Sequence, residues 1–183
     1  DSDKDKALHD SSIQFAKLGM AEEAVDYALS IKNYTLYESA LVEAAAYLGV
    51  SDNTSFVILK LQQINEVDLF YNLLTNYSYS LVKNFKSHDV NKVVEYIKSD
   101  ELKQVVYLNC LNLLVDTKQF DKMEIFEAQL KNIEDTASFL QSFSKKVYDD
   151  ELEEYYDEVL TKINSFLTKE KVEFIYEAPI LLT

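Results

Sequence analysis

The chain offers few side chains that could serve as nucleophiles, bases or metal ligands. Its two histidines, His9 and His88, are far apart, and neither lies in an H-E-x-x-H or comparable metal-ligand spacing. No G-x-S-x-G nucleophile elbow occurs. The N-terminal stretch DSDKD lacks the central glycine and the closing glutamate of a calcium loop. We therefore expect no bound metal and no cofactor, and both histidines are interpreted as surface side chains.

The remaining reactive groups do not suggest an active site either. Cys110 is the only cysteine, so neither an internal disulfide nor a cysteine-based metal cluster can form. Its neighbours, YLNCLNLL, form an apolar helical run that is typical of a buried, unreactive thiol. Carboxylates are numerous, but their spacing singles out no pair for acid–base catalysis. The sequence thus predicts no catalytic residue and a protein that is not an enzyme.

The charge of the chain restricts the kinds of partner. The formal net charge is −14, and all 18 basic residues are lysines. Phosphate groups are usually bound by Lys/Arg patches, and the longest basic run here is Lys145-Lys146. Nucleic acids and anionic membranes are therefore not expected as partners, and no run approaches the roughly 18 apolar residues of a transmembrane segment. A basic or neutral protein or peptide is favoured over an acidic one.

The scarcity of turn-forming residues predicts the elements that must position any functional side chain. Only two glycines and one proline occur. Strand-rich folds need turn residues at many corners, and phosphate-binding loops need several glycines close together. The chain is therefore predicted to be nearly all helix, with short polar connections. The predicted helices cover residues 5–18, 21–31, 36–48, 52–64, 67–85, 90–98, 100–116, 122–132, 136–148 and 150–167.

A repeat is visible in the spacing of isoleucines that precede polar breaks. These residues are separated by 33, 33, 36 and 30 positions and are Ile31, Ile64, Ile97, Ile133 and Ile163. Leucine stands seventeen residues after each of the first three, at Leu48, Leu81 and Leu114. In the fourth copy Asp150 takes that place. A period of this length predicts a stack of helical hairpins.

Helix start signals occur near the same breaks. Thr35 and Glu38 match a T-x-x-E capping box, in which each side chain would bond to the other residue's backbone N–H. Asp121 and Glu124 are an acidic version of this motif. Ser99, Asp135 and Asp89 are predicted to cap the helices that follow them.

The first hairpin, AKLGMAEEAVDYALSI, resembles the turn and second helix of a tetratricopeptide-type repeat. Gly19 matches the turn glycine, Ala24 the small packing position, and Ala28 and Ile31 follow at compatible spacing. The chain departs from that family in having no tryptophan and no proline at the end of a repeat. The resemblance implies an all-α fold, a right-handed stack of about five antiparallel helical hairpins. Residues 1–168 would form this TPR-like helical repeat domain.

The end of the chain differs from the rest. KVEFIYEAPILLT alternates apolar and polar residues and then becomes apolar. Residues 169–183 are therefore predicted to be an extended C-terminal tail, either docked or leading to a further domain. The whole chain is a candidate domain of a larger protein.

In stacks of hairpins the first helix of each pair usually lines a concave surface. Counting from the repeat isoleucines, polar side chains recur at equivalent positions of these helices. Asparagine can donate to and accept from a peptide backbone, and tyrosine offers rigid contact area. The predicted partner-binding residues are Glu43, Asn72, Asn76, Tyr79, Asn109, Asn112, Lys145 and Tyr148.

The expected function is therefore a non-enzymatic protein–protein interaction scaffold or assembly factor that holds a partner protein or peptide in this concave face. The alternative is a structural helical-bundle domain of a cell-envelope or surface protein without a peptide groove. A groove lined by the asparagine rows would favour the scaffold. A closed bundle with those rows facing solvent would favour the alternative.

Overall fold

A computed structural model describes residues 2–170, and within this range the chain is helical, without strands. Short 3₁₀ turns connect several of the helices. The ten helices are α1 (Ser2–Lys17), α2 (Ala21–Leu29), α3 (Tyr34–Ala45), α4 (Thr54–Leu61), α5 (Val67–Lys83), α6 (Val90–Val94), α7 (Asp100–Asp116), α8 (Glu124–Glu127), α9 (Ile133–Asp149) and α10 (Tyr156–Glu170). The predicted all-α class is confirmed for these residues.

Four of the helices begin at a constant interval. α3, α5, α7 and α9 start 33 residues apart, and the residue before each of them has extended backbone. At three of these starts the preceding side chain accepts a hydrogen bond from a backbone N–H of the first turn, which satisfies one of the free donors there. The three capping residues are Asn33, Ser99 and Asn132. The prediction that Ser99 is a cap is thus confirmed. The other two predicted caps are wrong, because Asp135 lies inside α9 and the Asp89 side chain does not cap α6.

The described residues form two compact units, one up to Leu130 and the other from Lys131 onward. In the first unit α1 packs against α2 and α3, α3 against α5, and α5 against α7. The shorter helices form a second row, in which α2 contacts α4 and α4 contacts α6. Each helix of this unit therefore packs against helices one or two places away from it in the chain.

The core of the first unit contains the predicted repeat positions. Ile31, Ile64 and Ile97 are 7%, 6% and 0% exposed. The backbone N–H of each donates to the carbonyl three residues earlier, so the three chain reversals are built alike. Burying a side chain of this size contributes about 1.5–3 kcal/mol. The leucines of the second predicted row, Leu48, Leu81 and Leu114, are also fully buried.

Several helices end in the same left-handed turn. The first residue beyond the turn donates its N–H to the carbonyl five residues back at 2.8–3.0 Å, and the residue before it has positive φ. This is the Schellman arrangement, which satisfies carbonyls at a helix C-terminus. The positive-φ residues are Gly19 (75°), Phe85 (61°), Lys118 (57°) and Glu151 (55°).

The predicted register of the fourth repeat is wrong. Ile133 is the first residue of α9 and is 48% exposed, unlike the three earlier isoleucines. Leu130 stands 33 residues after Ile97, and its N–H likewise donates to the carbonyl three residues earlier. Val147, 1% exposed, takes the place that the predicted register assigned to Asp150. Because Ile133 stands at the first position of a helix, outside the core, the presence of an isoleucine did not identify the chain reversal.

The two predicted capping boxes are also wrong. Asn33, not Thr35, accepts the N–H of Leu36, which places Thr35 inside α3. No side chain caps α8 near Asp121. In addition, α10 starts at Tyr156 rather than at residue 150, because the left-handed turn and a 3₁₀ turn intervene.

In the second unit α9 packs against α10. Phe139 and Phe143 are buried on α9 with stacked rings 6.0 Å apart, and Val159 is buried on α10. Most of the predicted tail 169–183 lies outside the described residues. None of the described helices is long and apolar enough to span a membrane.

Candidate functional site

The structure brings part of the predicted polar set together on α5 and α7. Asn109 of α7 donates through Nδ2 to the Tyr79 hydroxyl of α5 at 2.9 Å. Asn76 lies one turn and Asn72 two turns before Tyr79 on α5. Asn76 donates through Nδ2 to the Asn72 side-chain oxygen at 2.8 Å and to the Asn72 carbonyl at 2.9 Å. Four of the predicted residues thus line one polar face of two neighbouring helices, which we call the asparagine face (Asn72, Asn76, Tyr79 and Asn109).

The asparagine face is accessible and uncharged. Asn72 and Asn109 are exposed, and Asn76 and Tyr79 are partly exposed. Burial of the Tyr79 ring raises the pKa of its phenol, and the hydrogen bond from Asn109 offsets part of this effect. Tyr79 therefore stays a neutral hydroxyl that accepts from Asn109 and keeps its own proton available for donation.

Asn112 lies one helical turn beyond Asn109 on α7 and is partly buried. Its side-chain oxygen is inaccessible and accepts no hydrogen bond within residues 2–170. An unsatisfied buried acceptor costs about 1–3 kcal/mol. Asn112 therefore differs from Asn109, since its amide is turned into the protein rather than toward a ligand.

Glu43 belongs to a different cluster, between α1 and α3. It accepts a hydrogen bond from Ser39 Oγ at 3.0 Å, and His9 Nε2 lies 3.2 Å from Ser39 Oγ and 3.6 Å from the Glu43 carboxylate. His9 Nδ1 also lies 3.2 Å from Asp10 Oδ1. The interpretation of His9 as an ordinary surface side chain is therefore wrong, because its ring is only 15% exposed and joins two helices.

The order Asp10–His9–Ser39 matches the connectivity of a hydrolase triad, but its geometry does not fit that chemistry. Ser39 donates its proton to Glu43, not to the imidazole. It also lies within α3, where the neighbouring backbone N–H groups are used by the helix and cannot form an oxyanion hole. Asp10 is 80% exposed and does not hold the ring in a water-free site. The cluster is best described as a polar clamp between α1 and α3.

The last two predicted residues lie in the second unit. Lys145 is exposed and forms an ion pair with Asp149 at 3.7 Å, one turn along α9. Tyr148 is 51% exposed. By the 33-residue interval of the helix starts, Lys145 corresponds to Tyr79 and Asn112, while Ser142 corresponds to Asn109. Counting twelve residues from Ile97 and from Ile133 predicts that Asn109 and Lys145 are equivalent, and this register is wrong.

Sequence reasoning missed His9 and Ser39 because their partners lie on another helix. A usable signal was present, however: His9 and Ser39 are 30 residues apart, as are Tyr79 and Asn109. In a chain with a repeat of 33, positions slightly closer than one repeat are candidates for contact across adjacent helices.

Other reactive groups show no catalytic arrangement. Within residues 2–170, no cluster of three or more His, Cys, Asp and Glu residues is arranged to hold a metal ion. Cys110 is fully buried, and burial raises the pKa of its thiol well above the usual range, as expected for an unreactive cysteine.

Comparisons with models of known protein families, with curated proteins and with solved structures found no match to this chain.

Proposed function

We propose that this chain is a non-enzymatic interaction scaffold, built as a tetratricopeptide-like, right-handed stack of helical hairpins that binds a partner protein or peptide. The observation that carries the proposal is the hydrogen bond between Asn109 and Tyr79. It joins polar side chains of two successive long helices into one surface. Nearest-neighbour packing along the two helix rows supports the stack.

The chemistry of the asparagine face suits a peptide backbone. Amide side chains offer both a donor and an acceptor, as a peptide group does. Asn72 and Asn109 are exposed at the ends of the two internal hydrogen-bonded pairs, and neither carries charge. An uncharged surface of this kind does not require an acidic or basic side chain on the ligand. Glu43, Asn112, Lys145 and Tyr148 are not part of the asparagine face, and the proposal does not rest on them.

Affinity capture with matched variants tests the proposal. The bait proteins are the wild type, the triple variant Asn72→Ala/Asn76→Ala/Asn109→Ala, and a control, Ser55→Ala/Gln62→Ala/Gln63→Ala. The control residues are exposed and polar and lie on α4 and directly after it. Alanine favours helix over asparagine, so the triple variant is expected to stay folded, which circular dichroism checks.

We expect a bound protein that the wild type and the control retain equally and that the triple variant loses by at least about tenfold, since several direct hydrogen bonds would be removed. The purified partner must then bind the wild type directly. Equal retention by all three baits would exclude the asparagine face as the binding surface. Absence of any protein that the wild type specifically retains would favour a structural helical domain without a peptide groove.

A further inference from the structure

A second exposed surface lies where α3 and α5 begin. Tyr34 is the first residue of α3 and is 59% exposed, and its ring centre is 5.9 Å from that of Tyr37. Val67 is the first residue of α5 and is 60% exposed. The Tyr37 hydroxyl donates to Glu66 Oε2 at 3.5 Å, so the two helix starts are in contact. We call this group, together with Glu38, the Tyr34 surface.

The Tyr34 surface differs from the asparagine face in position. Asn76 of the asparagine face follows Val67 of the Tyr34 surface by nine residues on α5. Nine residues are two and a half turns of an α-helix, so the two side chains leave α5 on opposite sides. A ligand on the Tyr34 surface therefore does not need the asparagine face.

The carboxylates of the Tyr34 surface are exposed and have no cation beside them. Glu38 lies one turn after Tyr34, and Glu66 immediately precedes Val67. Within residues 2–170 no Lys or His side chain comes within ion-pair distance of either carboxylate. Other acids of this unit do have such partners: Glu22 lies 2.7 Å from Lys60, and Asp52 lies 3.1 Å from Lys86.

The hydroxyl at the centre of the surface remains neutral. Burial raises the pKa of Tyr37, and the negative charge of Glu66 raises it further. The Tyr34 surface therefore presents tyrosine rings and two carboxylates, and none of its residues is positively charged.

We propose that the Tyr34 surface docks a segment of a partner protein that carries arginine or lysine side chains. A cation placed over the face of an exposed tyrosine is attracted by the ring quadrupole, and arginine also stacks on the ring and pairs with a carboxylate through its planar fork. An apolar segment would cover Glu38 and Glu66 without a counter-charge, which is unfavourable. An acidic segment would be repelled.

Peptide binding to the full chain provides the test. The probes are fluorescein-labelled peptides of alternating Arg and Ala and of alternating Lys and Ala, followed by fluorescence anisotropy at about 50 mM salt, where charge interactions are only partly screened. The variants are Glu38→Gln/Glu66→Gln and Tyr34→Leu. The control, Glu101→Gln/Asp116→Asn, removes the same charge from exposed positions of α7. Melting curves establish that each variant is folded.

We expect Glu38→Gln/Glu66→Gln to weaken binding of the Arg peptide about tenfold and the control less than about twofold, because only the first pair faces the bound cation. Tyr34→Leu should weaken binding of the Arg peptide about threefold and abolish the preference for Arg over Lys. Equal losses in the variant and the control would mean that the peptide is held by the general negative charge, which overturns the proposal. An unchanged Arg preference in Tyr34→Leu would overturn it as well. None of these variants alters the asparagine face, so failure here is distinct from failure of the scaffold proposal.

Discussion

The turn after α1 and the turn after α5 have the same backbone and different residues. Gly19 and Phe85 have φ of 75° and 61°, and the residue after each donates to a carbonyl five positions back at 3.0 and 2.9 Å. Glycine adopts this conformation freely, whereas a residue with a side chain is strained by about 1–2 kcal/mol. The Phe85 side chain gains little in return, since it is 75% exposed.

The comparison shows that hydrogen bonding and packing impose the turn, not the presence of glycine. At Phe85, contacts with another segment of the chain further stabilise the left-handed turn. The next residue, Lys86, donates through Nζ to the carbonyls of Val50 and Ser51 at 3.0 and 2.8 Å and pairs with Asp52. These contacts tie the turn after α5 to the preceding one and hold Phe85 in the left-handed conformation.

The turn between α3 and α4 gives a third case, because its glycine serves a different purpose. Gly49 does not have positive φ; it lies in a 3₁₀ turn against α5, and its N–H donates to the buried Ser80 hydroxyl at 2.9 Å. A Cβ at Gly49 would overlap the backbone of Ser80 and Leu81. Gly19 thus relieves backbone strain in its turn, whereas Gly49 permits the close approach of two backbones.

Gly49→Ala should have the largest effect of the turn substitutions. The new methyl group meets main-chain atoms, which cannot rotate away as a flexible side chain would, so α5 must shift. We expect a loss of about 3 kcal/mol or more in the free energy of unfolding, at the upper end of overpacking effects. Denaturant unfolding followed by circular dichroism measures this change. A loss below about 1 kcal/mol would show that the two elements separate easily.

Opposite substitutions at the two equivalent turns should have opposite signs. Gly19→Ala is expected to lower the free energy of unfolding by about 1–2 kcal/mol, and Phe85→Gly to raise it by about 1 kcal/mol. The same denaturant titrations apply. Phe85→Ala is the control, since it removes the exposed ring but keeps a Cβ at positive φ. If Phe85→Ala stabilises as much as Phe85→Gly, the ring rather than the backbone strain was responsible.

The smallest expected effect is a pH dependence at the turn after α5. Burial tends to raise the pKa of Asp89, but hydrogen bonds from Lys92 and Thr54 outweigh it, so the pKa lies below its usual value. A carboxyl with a lowered folded-state pKa stabilises the fold above its unfolded pKa of about 3.9, and this contribution is lost as the pH falls through the folded pKa. The wild type should therefore be more stable than Asp89→Asn at neutral pH, with the difference shrinking below about pH 4. Melting temperatures of both proteins across this range provide the measurement, and a difference that does not change with pH would contradict it.

The sequence predicted the helices well because composition and periodicity are local properties. All ten predicted helices exist, and α7 has the predicted bounds at residues 100–116. The errors lie at boundaries, where one hydrogen bond decides the outcome. Thr35 and Glu38 match the capping-box motif better than Asn33 does. Asn33 nevertheless caps α3, because the chain reverses just before Asn33.

The candidate site was predicted less completely. The spacing of asparagines on α5 indicated one polar face, and Asn72 and Asn76 do lie together. The row was extended to Lys145 by counting from Ile133, an exposed residue at a helix start, and this shifted the alignment by three residues. The clamp of His9, Ser39 and Glu43 joins two separate helices, so no local sequence motif predicts it.

By itself the sequence determined that residues 2–170 are helical and that buried positions recur about every 33 residues over the first three copies of the repeat. These properties follow from residue types and their spacing. Only the tertiary structure decided which residues adopt left-handed turns, which glycine is needed for space, and which polar side chains meet. Those outcomes depend on distances of a few ångströms between segments about 30 residues apart in the chain, and residue order alone does not specify such distances.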